Sequence, residues 1–319
     1  MQNILITLEP YLFMLMVAFL GLFVGSFLNV VIYRLPVMLD QENTHSLYEF
    51  LQENISNKKS LGLKALDDGC PACTHHLTVE DLGEDPTLAK TFNIAWPPSQ
   101  CPYCGHKIKF YENIPLISYF FVLWGKCSSC KVPISLRYPL VEFATAVLSG
   151  SIAWYFGAGI ECALFLLLLW GLICAAMIDF DHQLLPDILT LPLMWLGILA
   201  TATGYLNHIS ITESILGAAF GYLSLWSVFW LFKLLFKKDG MGYGDFKLLA
   251  CLCAWLGLSA LPMIILFASC TASVLGGLSI ILSKRDSQKT IPFGPYLIVA
   301  AFITLFAGDY VQSLWMRML

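Results

Sequence analysis

Long apolar stretches, separated by short polar ones, dominate this chain. A helix needs about 20 apolar residues to cross the hydrocarbon core of a bilayer. Eight stretches fit, at about 11–33, 139–156, 161–178, 188–206, 215–236, 246–258, 261–282 and 291–307. The first lacks a preceding basic region and is too long for a cleavable signal, so we expect it to be retained. The pattern predicts an all-α polytopic membrane protein with about eight transmembrane helices.

One long polar segment interrupts this pattern directly after the first apolar stretch. We therefore divide the chain into a first transmembrane helix at 1–33, a polar insertion at 34–138 and a seven-helix membrane domain at 139–319. With eight alternating spans, the insertion and the loops near Lys237 and Lys284 face the same side. That side carries every lysine and arginine except Arg317. Because basic loops stay in the cytoplasm, the insertion is predicted to be cytoplasmic.

The composition narrows the class of protein further. Hydrophobic residues make up 58% of the chain and charged residues 13%, with a mean hydropathy of +0.72. A soluble domain would have about a quarter charged residues, and the net charge of -4 does not suit a nucleic-acid binder. We expect the lipid bilayer as a partner and no nucleic acid.

Two Cys-x-x-Cys pairs in the insertion have a spacing typical of metal sites. Cys101 and Cys104 are separated by 22 residues from Cys127 and Cys130. Four thiolates in this pattern suit a tetrahedral structural zinc ion, because each pair presents two sulfurs to one point. A redox dithiol is the alternative, but it needs a thioredoxin-like context that the sequence does not show. The insertion is therefore predicted to bind zinc in a reducing compartment, with a membrane redox relay as the competing hypothesis.

A third pair, Cys70 and Cys73, precedes the other two. The pattern Cys-Pro-x-Cys-x-His at 70–75 recurs at 101–106. Cys70 and Cys73 either join a second metal site with a neighbouring histidine or form a spare knuckle. The spacing leaves both interpretations open.

Acidic residues at two helix ends are candidates for catalysis, because ionisable groups in or beside transmembrane helices are costly. Asp179 ends an apolar run, and Asp181 and Asp187 follow it. Asp245 ends the segment 240–245, whose three glycines allow close approach of the backbone. Asp187 follows a proline and suits a helix start, and Asp181 fits an ordinary loop. Asp179 and Asp245 remain the strongest pair.

Two carboxylates from different helices can share a proton. Both cannot ionise at close range, so one stays neutral while the other acts as a base. The base activates water while the neutral partner polarises a carbonyl, which is the chemistry of an aspartic protease. The alternative is a proton-coupled transporter, since transporters also place acids at helix breaks.

Together these motifs resemble the bacterial type IV prepilin peptidases, which are integral inner-membrane aspartic proteases of the GxGD class. The resemblance extends in order along nearly the whole chain. Besides the two cysteine pairs, it rests on GLFVGSFLNVVIYRLP at 21–36, NIPLISY at 113–119, ISLRYPLVE at 134–142, DFDHQLLPDILTLP at 179–192, GMGYGDFK at 240–247 and PFGP at 292–295.

The resemblance implies a function and assigns residues to it. It assigns catalysis to Asp179 and Asp245 and zinc binding to Cys101, Cys104, Cys127 and Cys130. It implies cleavage of the leader of type IV prepilins and type II secretion pseudopilins at the cytoplasmic face of the bacterial inner membrane. Many members then methylate the new amino terminus with S-adenosylmethionine, and Gly125 and Lys126 resemble a segment linked to that step. The Cys70 and Cys73 pair exceeds the usual two-pair arrangement.

Overall fold

The computed structural model describes the backbone of residues 2–60, 92–237, 241–283 and 292–318, and the side chains of 10–53, 92–237, 241–274 and 292–308. Within these ranges the chain forms no β-strand, which confirms the predicted helical class. The described α-helices are α1 Gln2–Ser60, α2 Arg137–Phe156, α3 Ile160–His182, α4 Asp187–Ala202, α5 Ile211–Phe236, α6 Tyr243–Leu256, α7 Leu261–Ser283 and α8 Gly294–Met318.

Each predicted apolar segment overlaps one of these α-helices. The clearest difference is at α1, which continues to Ser60, well beyond the predicted end at residue 33. Residues 37–60 contain no glycine or proline and many good helix formers, so nothing in them ends a helix. Polarity limits where a helix can lie in a bilayer, but it does not stop the helix.

Three described helices are long and apolar enough to cross a membrane, judged by length and composition: Pro10–Glu53, Ile160–His182 and Ile211–Phe236. Shorter apolar helices cover Asp187–Ala202, Leu258–Val274 and Gly294–Gly308. The chain is therefore a membrane protein, while the number of eight spans stays a prediction.

The chain divides into two compact units, one formed by Met1–Ile32 with Lys109–Leu319 and the other by Tyr33–Ile108. In the first unit α6 is the central helix and packs against α4, α5 and α8. Its side chains from Asp245 to Trp255 are buried, apart from that of Lys247. A helix that is apolar on all sides belongs in a protein interior. This placement also carries Asp245 into the interior of the unit.

In the same unit, α1 and α2 approach closely through small residues. A Cβ atom at Gly25 would lie 2.8 Å from Cα of Glu142, and one at Gly21 would lie 2.9 Å from Cα of Ala146. Glycines spaced in this way let two helix backbones approach in a membrane. The buried Glu142 carboxylate accepts a 2.9 Å hydrogen bond from the Leu116 N–H and another from Ser26. These contacts explain why the motifs at 21–36, 113–119 and 134–142 occur together.

The second unit is described for the end of α1 and for residues 92–108. Its Arg34 side chain is buried and donates to the carbonyl oxygens of Asn93 at 2.9 Å and Ile94 at 3.1 Å. It also donates to the Pro97 carbonyl. An arginine carries five N–H donors and can satisfy several carbonyls at once. Arg34 therefore fixes the loop at 93–97 against α1.

Candidate active site and metal centre

Asp179 lies in the last turn of α3, and its side chain is only 5% exposed. The helix ends at His182, and Gln183, the next residue, adopts the left-handed conformation that closes many helices. Oδ2 of Asp179 accepts a 3.1 Å hydrogen bond from the backbone N–H of Gly294, the first residue of α8. An acid at the end of an apolar helix is thus held inside the protein by a second helix.

Asp245 is the third residue of α6 and is 7% exposed. Its carboxylate accepts a hydrogen bond from the N–H of Gly242, the residue that caps α6. A carboxylate at this position satisfies a donor at the helix start and suits the positive end of the helix dipole. The Asp179 carboxylate is close enough to interact with it electrostatically. The structure therefore brings together the two acids that the sequence predicts to be a pair.

Leu185, in the short connection between α3 and α4, is 8% exposed and packs against Gly244, which precedes Asp245, and Gly294, which binds Asp179. A Cβ atom at Gly244 would lie 2.7 Å from its Cβ, and one at Gly294 would lie 3.3 Å from its Cδ1. Only residues without a side chain allow this packing. Leu185 and the two glycines form the apolar wall beside the acids.

The other acids of the same motif are ion-paired instead. Asp181 pairs with Arg137 of α2, with Nη1 2.7 Å from Oδ1. Asp187 pairs with Lys247 of α6, whose Nζ lies 2.7 Å and 2.8 Å from its two oxygens. Among the described residues, neither Asp179 nor Asp245 forms an ion pair. Two buried carboxyl groups that interact electrostatically without a cation are suited to share one proton.

The first cysteine knuckle is closed by hydrogen bonds of its own. The Cys101 N–H donates to the His106 carbonyl, and the Gly105 N–H donates to the Cys101 carbonyl, both at 2.9 Å. Gly105 has a φ of 68°, a conformation that glycine adopts without strain. A bridge between Gln100 and Lys107 closes the turn at its base.

The second knuckle repeats this geometry. The Cys127 N–H donates to the Val132 carbonyl at 2.9 Å, and the Lys131 N–H donates to the Cys127 carbonyl at 3.1 Å. Lys131 takes the place of the glycine and has a φ of 60°. A bridge between Lys126 and Pro133 closes this turn.

The ligand atoms of all four predicted cysteines lie within 4.8 Å of one another. This set is Cys101, Cys104, Cys127 and Cys130. Four thiolates at one point are a donor set that fits a tetrahedral metal ion. Cys70, Cys73 and Gly240 lie outside the described residues. The two interpretations of Cys70 and Cys73, a second metal site or a spare knuckle, therefore both stay predictions.

Gly125 and Lys126 lie at the base of the second knuckle. Gly125 has a φ of 67°, and its N–H donates to the Tyr119 carbonyl at 2.9 Å. The Ile134 N–H donates to the Gly125 carbonyl at 2.8 Å. A Cβ atom at Gly125 would lie 3.1 Å from Oη of Tyr119. The positive φ and the contact with Tyr119 explain why position 125 is a glycine. Its link to methylation stays a prediction.

Two residues of the site were not predicted as site residues. Leu185 lies inside the motif at 179–192, where its apolar character does not stand out. Gly294 lies in the PFGP segment at 292–295, and a glycine between phenylalanine and proline at a helix start was the available signal.

Two family profiles match the chain. The bacterial peptidase A24 N-terminal domain matches residues 19–156, and the type IV leader peptidase family matches residues 166–277. Gly294 lies beyond both matches. No solved structure gives a significant match.

Several curated proteins are similar to the chain over nearly its whole length, and those named here are called prepilin leader peptidase/N-methyltransferase. The protein of Pseudomonas aeruginosa is 47% identical over 309 residues, which cover 97% of this chain and 95% of that protein. That of Stutzerimonas stutzeri is 46% identical over 309 residues, covering 97% and 96%. That of Neisseria gonorrhoeae is 41% identical over 294 residues, covering 92% and 90%. The resemblance seen in the sequence is confirmed, and the chain belongs to the type IV leader peptidase family.

Proposed function

We propose that this chain is a prepilin leader peptidase and N-methyltransferase. It cleaves the leader of type IV prepilins and of type II secretion pseudopilins, and it methylates the new amino terminus. The observation that carries the proposal is the buried pair of Asp179 and Asp245, brought together from two helices. The names of the relatives support both activities. Nothing in the comparisons supports the alternative of proton transport.

In the proposed mechanism Asp179 and Asp245 share one proton. The ionised carboxylate removes a proton from water, and the neutral one donates a hydrogen bond to the carbonyl oxygen of the scissile peptide. Water adds to the carbonyl carbon and forms a tetrahedral intermediate. This intermediate collapses with cleavage of the C–N bond, and the leaving amine takes up the proton that the carboxylate removed from water. No covalent link to the enzyme forms.

The charge pattern supports an orientation for this chemistry. We place the active site and the insertion at the cytoplasmic face of the bacterial inner membrane, since the basic residues cluster on that side of the predicted topology. The proposed organisation is the first transmembrane helix at 1–33, the zinc-binding insertion at 34–138 and the catalytic domain at 139–319. A leader presented from the cytoplasm would meet the acids at this face.

We assign the cysteine cluster to structural zinc, held by Cys101, Cys104, Cys127 and Cys130. Zinc prefers four thiolates in tetrahedral arrangement, and its binding free energy would stabilise the folded knuckles. S-adenosylmethionine is the methyl donor that the second activity requires. The cluster is proposed to have no role in the chemistry of cleavage.

The test is cleavage of a prepilin by the purified protein in detergent, with product mass measured with and without S-adenosylmethionine. We expect the leader to be lost in both cases and one methyl group to be added only with the donor. Asp179→Asn and Asp245→Asn should each abolish cleavage, while Asp181→Asn serves as the matched control. Full processing by a folded Asp179→Asn or Asp245→Asn variant would sink the catalytic assignment. No cleavage by the folded, metal-loaded wild type would refute the peptidase.

A further inference from the structure

Gly294 is the first residue of α8, and its N–H belongs to the first-turn donors that have no acceptor within their own helix. Here that donor is directed at Oδ2 of Asp179 at 3.1 Å, in a buried environment. The two residues are 115 positions apart in the sequence. The contact therefore joins the end of α3 to the start of the last described helix.

The direction of this N–H is fixed by the helix that follows. The N–H groups of Tyr296 and Leu297 donate to the Phe293 carbonyl at 3.1 Å and 3.2 Å, which forms the first turn of α8. Leu297 is fully buried in the core of the unit. Gly294 thus presents its donor from a packed element and not from a loose loop.

The space around Gly294 admits no side chain. A Cβ atom there would lie 2.6 Å from Oδ2 and 3.3 Å from Cγ of Asp179, and 3.3 Å from Cδ1 of Leu185. Carbon and oxygen atoms that are not bonded do not approach to 2.6 Å without displacement. The group that would have to turn away is the carboxylate of Asp179 itself.

We propose that Gly294 is a positioning residue for peptide cleavage, which holds the Asp179 carboxylate in its working orientation through the backbone N–H. This inference rests on the proposed function. The N–H fixes the position of Oδ2 and with it the plane of the carboxylate. A catalytic group displaced by about 1 Å can lose roughly a hundredfold in rate. Gly294 acts through Asp179 and does not itself touch substrate.

The first experiment compares Gly294→Ala with Gly308→Ala, a glycine of the same helix whose added Cβ would lie 3.6 Å from Thr304 in ordinary contact. We expect Gly294→Ala to lower kcat for leader cleavage by ten- to a hundredfold, with KM for the prepilin within about twofold. Methylation of an already cleaved pilin should persist, which a merely unfolded variant could not do. Gly308→Ala should match the wild type in both activities.

The second experiment does not depend on a variant at Gly294. Hydrogen exchange at the Gly294 amide is measured in the wild type, in Asp179→Ala and in Asp245→Ala as the control. We expect Asp179→Ala to speed exchange at this amide because its acceptor is gone, and Asp245→Ala to leave it protected.

The outcomes separate the inference from the proposed function. Wild-type kcat in Gly294→Ala, or unchanged exchange at the Gly294 amide in Asp179→Ala, would overturn the positioning role while the two-aspartate mechanism stands. A fall of cleavage and methylation together in Gly294→Ala, with no faster exchange in Asp179→Ala, would reduce Gly294 to a packing residue. Absence of cleavage by the wild type would reject the proposed function itself.

Discussion

Leu185 lies directly against Gly244, so that a Cβ atom on the glycine would sit 2.7 Å from the Cβ of the leucine. A Cβ atom follows the backbone and cannot swing aside as the end of a long side chain can. The loop after α3 is thereby pressed against the start of α6, beside Asp179 and Asp245. Gly244, which precedes Asp245, is required because Leu185 leaves no room for a side chain at this position.

We expect Gly244→Ala to lower the free energy of unfolding by about 1–3 kcal/mol, the usual cost of overpacking, and to reduce leader cleavage. Gly171→Ala is the matched control, since its added Cβ would lie 2.6 Å from Cδ1 of Leu193, the movable end of a side chain. Thermal unfolding in detergent and cleavage assays measure both effects. If Gly244→Ala and Gly171→Ala unfolded at the same temperature and cleaved equally well, this account of the packing would be wrong.

The ion pair of Arg137 and Asp181 should contribute a little to stability and nothing to the chemistry of cleavage. Its side chains are partly exposed, at 35% and 26%, so we expect Asp181→Asn to cost at most about 1 kcal/mol. The same change two residues earlier, Asp179→Asn, should abolish cleavage. Arg137→Lys should resemble Asp181→Asn, because lysine cannot reproduce the two-pronged contact.

The measurement for this pair is cleavage at saturating prepilin, with the melting temperature as a second readout. Loss of cleavage in Asp181→Asn as complete as in Asp179→Asn would mean that the second acid of the motif takes part in the reaction.

Alanine substitutions at Gly105 and Gly125, the glycines at the two cysteine knuckles, should distinguish the cost of backbone strain from the cost of a side-chain clash. An alanine at Gly125 or Gly105 is held at positive φ, which costs roughly 1–2 kcal/mol. Gly125→Ala also meets Tyr119 Oη at 3.1 Å, whereas nothing lies within 4 Å of a Cβ at Gly105. We therefore expect Gly125→Ala to be the less stable variant by thermal unfolding.

Methylation assays on the same variants test the role of this segment. If Gly125→Ala loses methylation while its melting temperature equals that of Gly105→Ala, the glycine acts in the reaction and not only in the turn.

Metal content should depend on the cluster and not on cysteines elsewhere. We expect the wild type to contain zinc by elemental analysis, and Cys101→Ser or Cys127→Ser to lose it together with thermal stability. Cys270→Ser is the control, since Cys270 lies in α7 outside the cluster. Zinc retained at wild-type level in Cys101→Ser would contradict the assignment.

The pair Cys70 and Cys73 is tested in the same way. A double serine variant that keeps one zinc per chain would make this pair a spare knuckle. Loss of a second equivalent of zinc would make it a further site.

The parts of the site that the sequence predicted depend on spacing and local chemistry. Cys101 to Cys130 follow a spacing that a four-thiolate site requires. Asp179 and Asp245 stand out because an acid is costly at the end of an apolar run. Each Cys-x-x-Cys pair and each acid can be recognised from its immediate neighbours in the sequence.

The parts that were missed depend on tertiary contact. Nothing local to Gly294 indicates an acceptor 115 positions away, and nothing in Leu185 marks it as the residue between two glycines. The continuation of α1 to Ser60 is missed for a different reason, because a fall in hydropathy after residue 33 indicates the end of a membrane span and not the end of a helix. The sequence from 37 to 60 has many good helix formers and no glycine or proline.

The hydrogen bond between Gly294 and Asp179 also has a consequence for biosynthesis. A ribosome completes α3 long before α8, so the acid reaches the membrane well ahead of the amide that orients it. Until α8 has been made and inserted, the Asp179 carboxylate lacks the N–H that orients it. On the proposal made for Gly294, the working orientation of Asp179 is therefore set only after α8 has been made and packed.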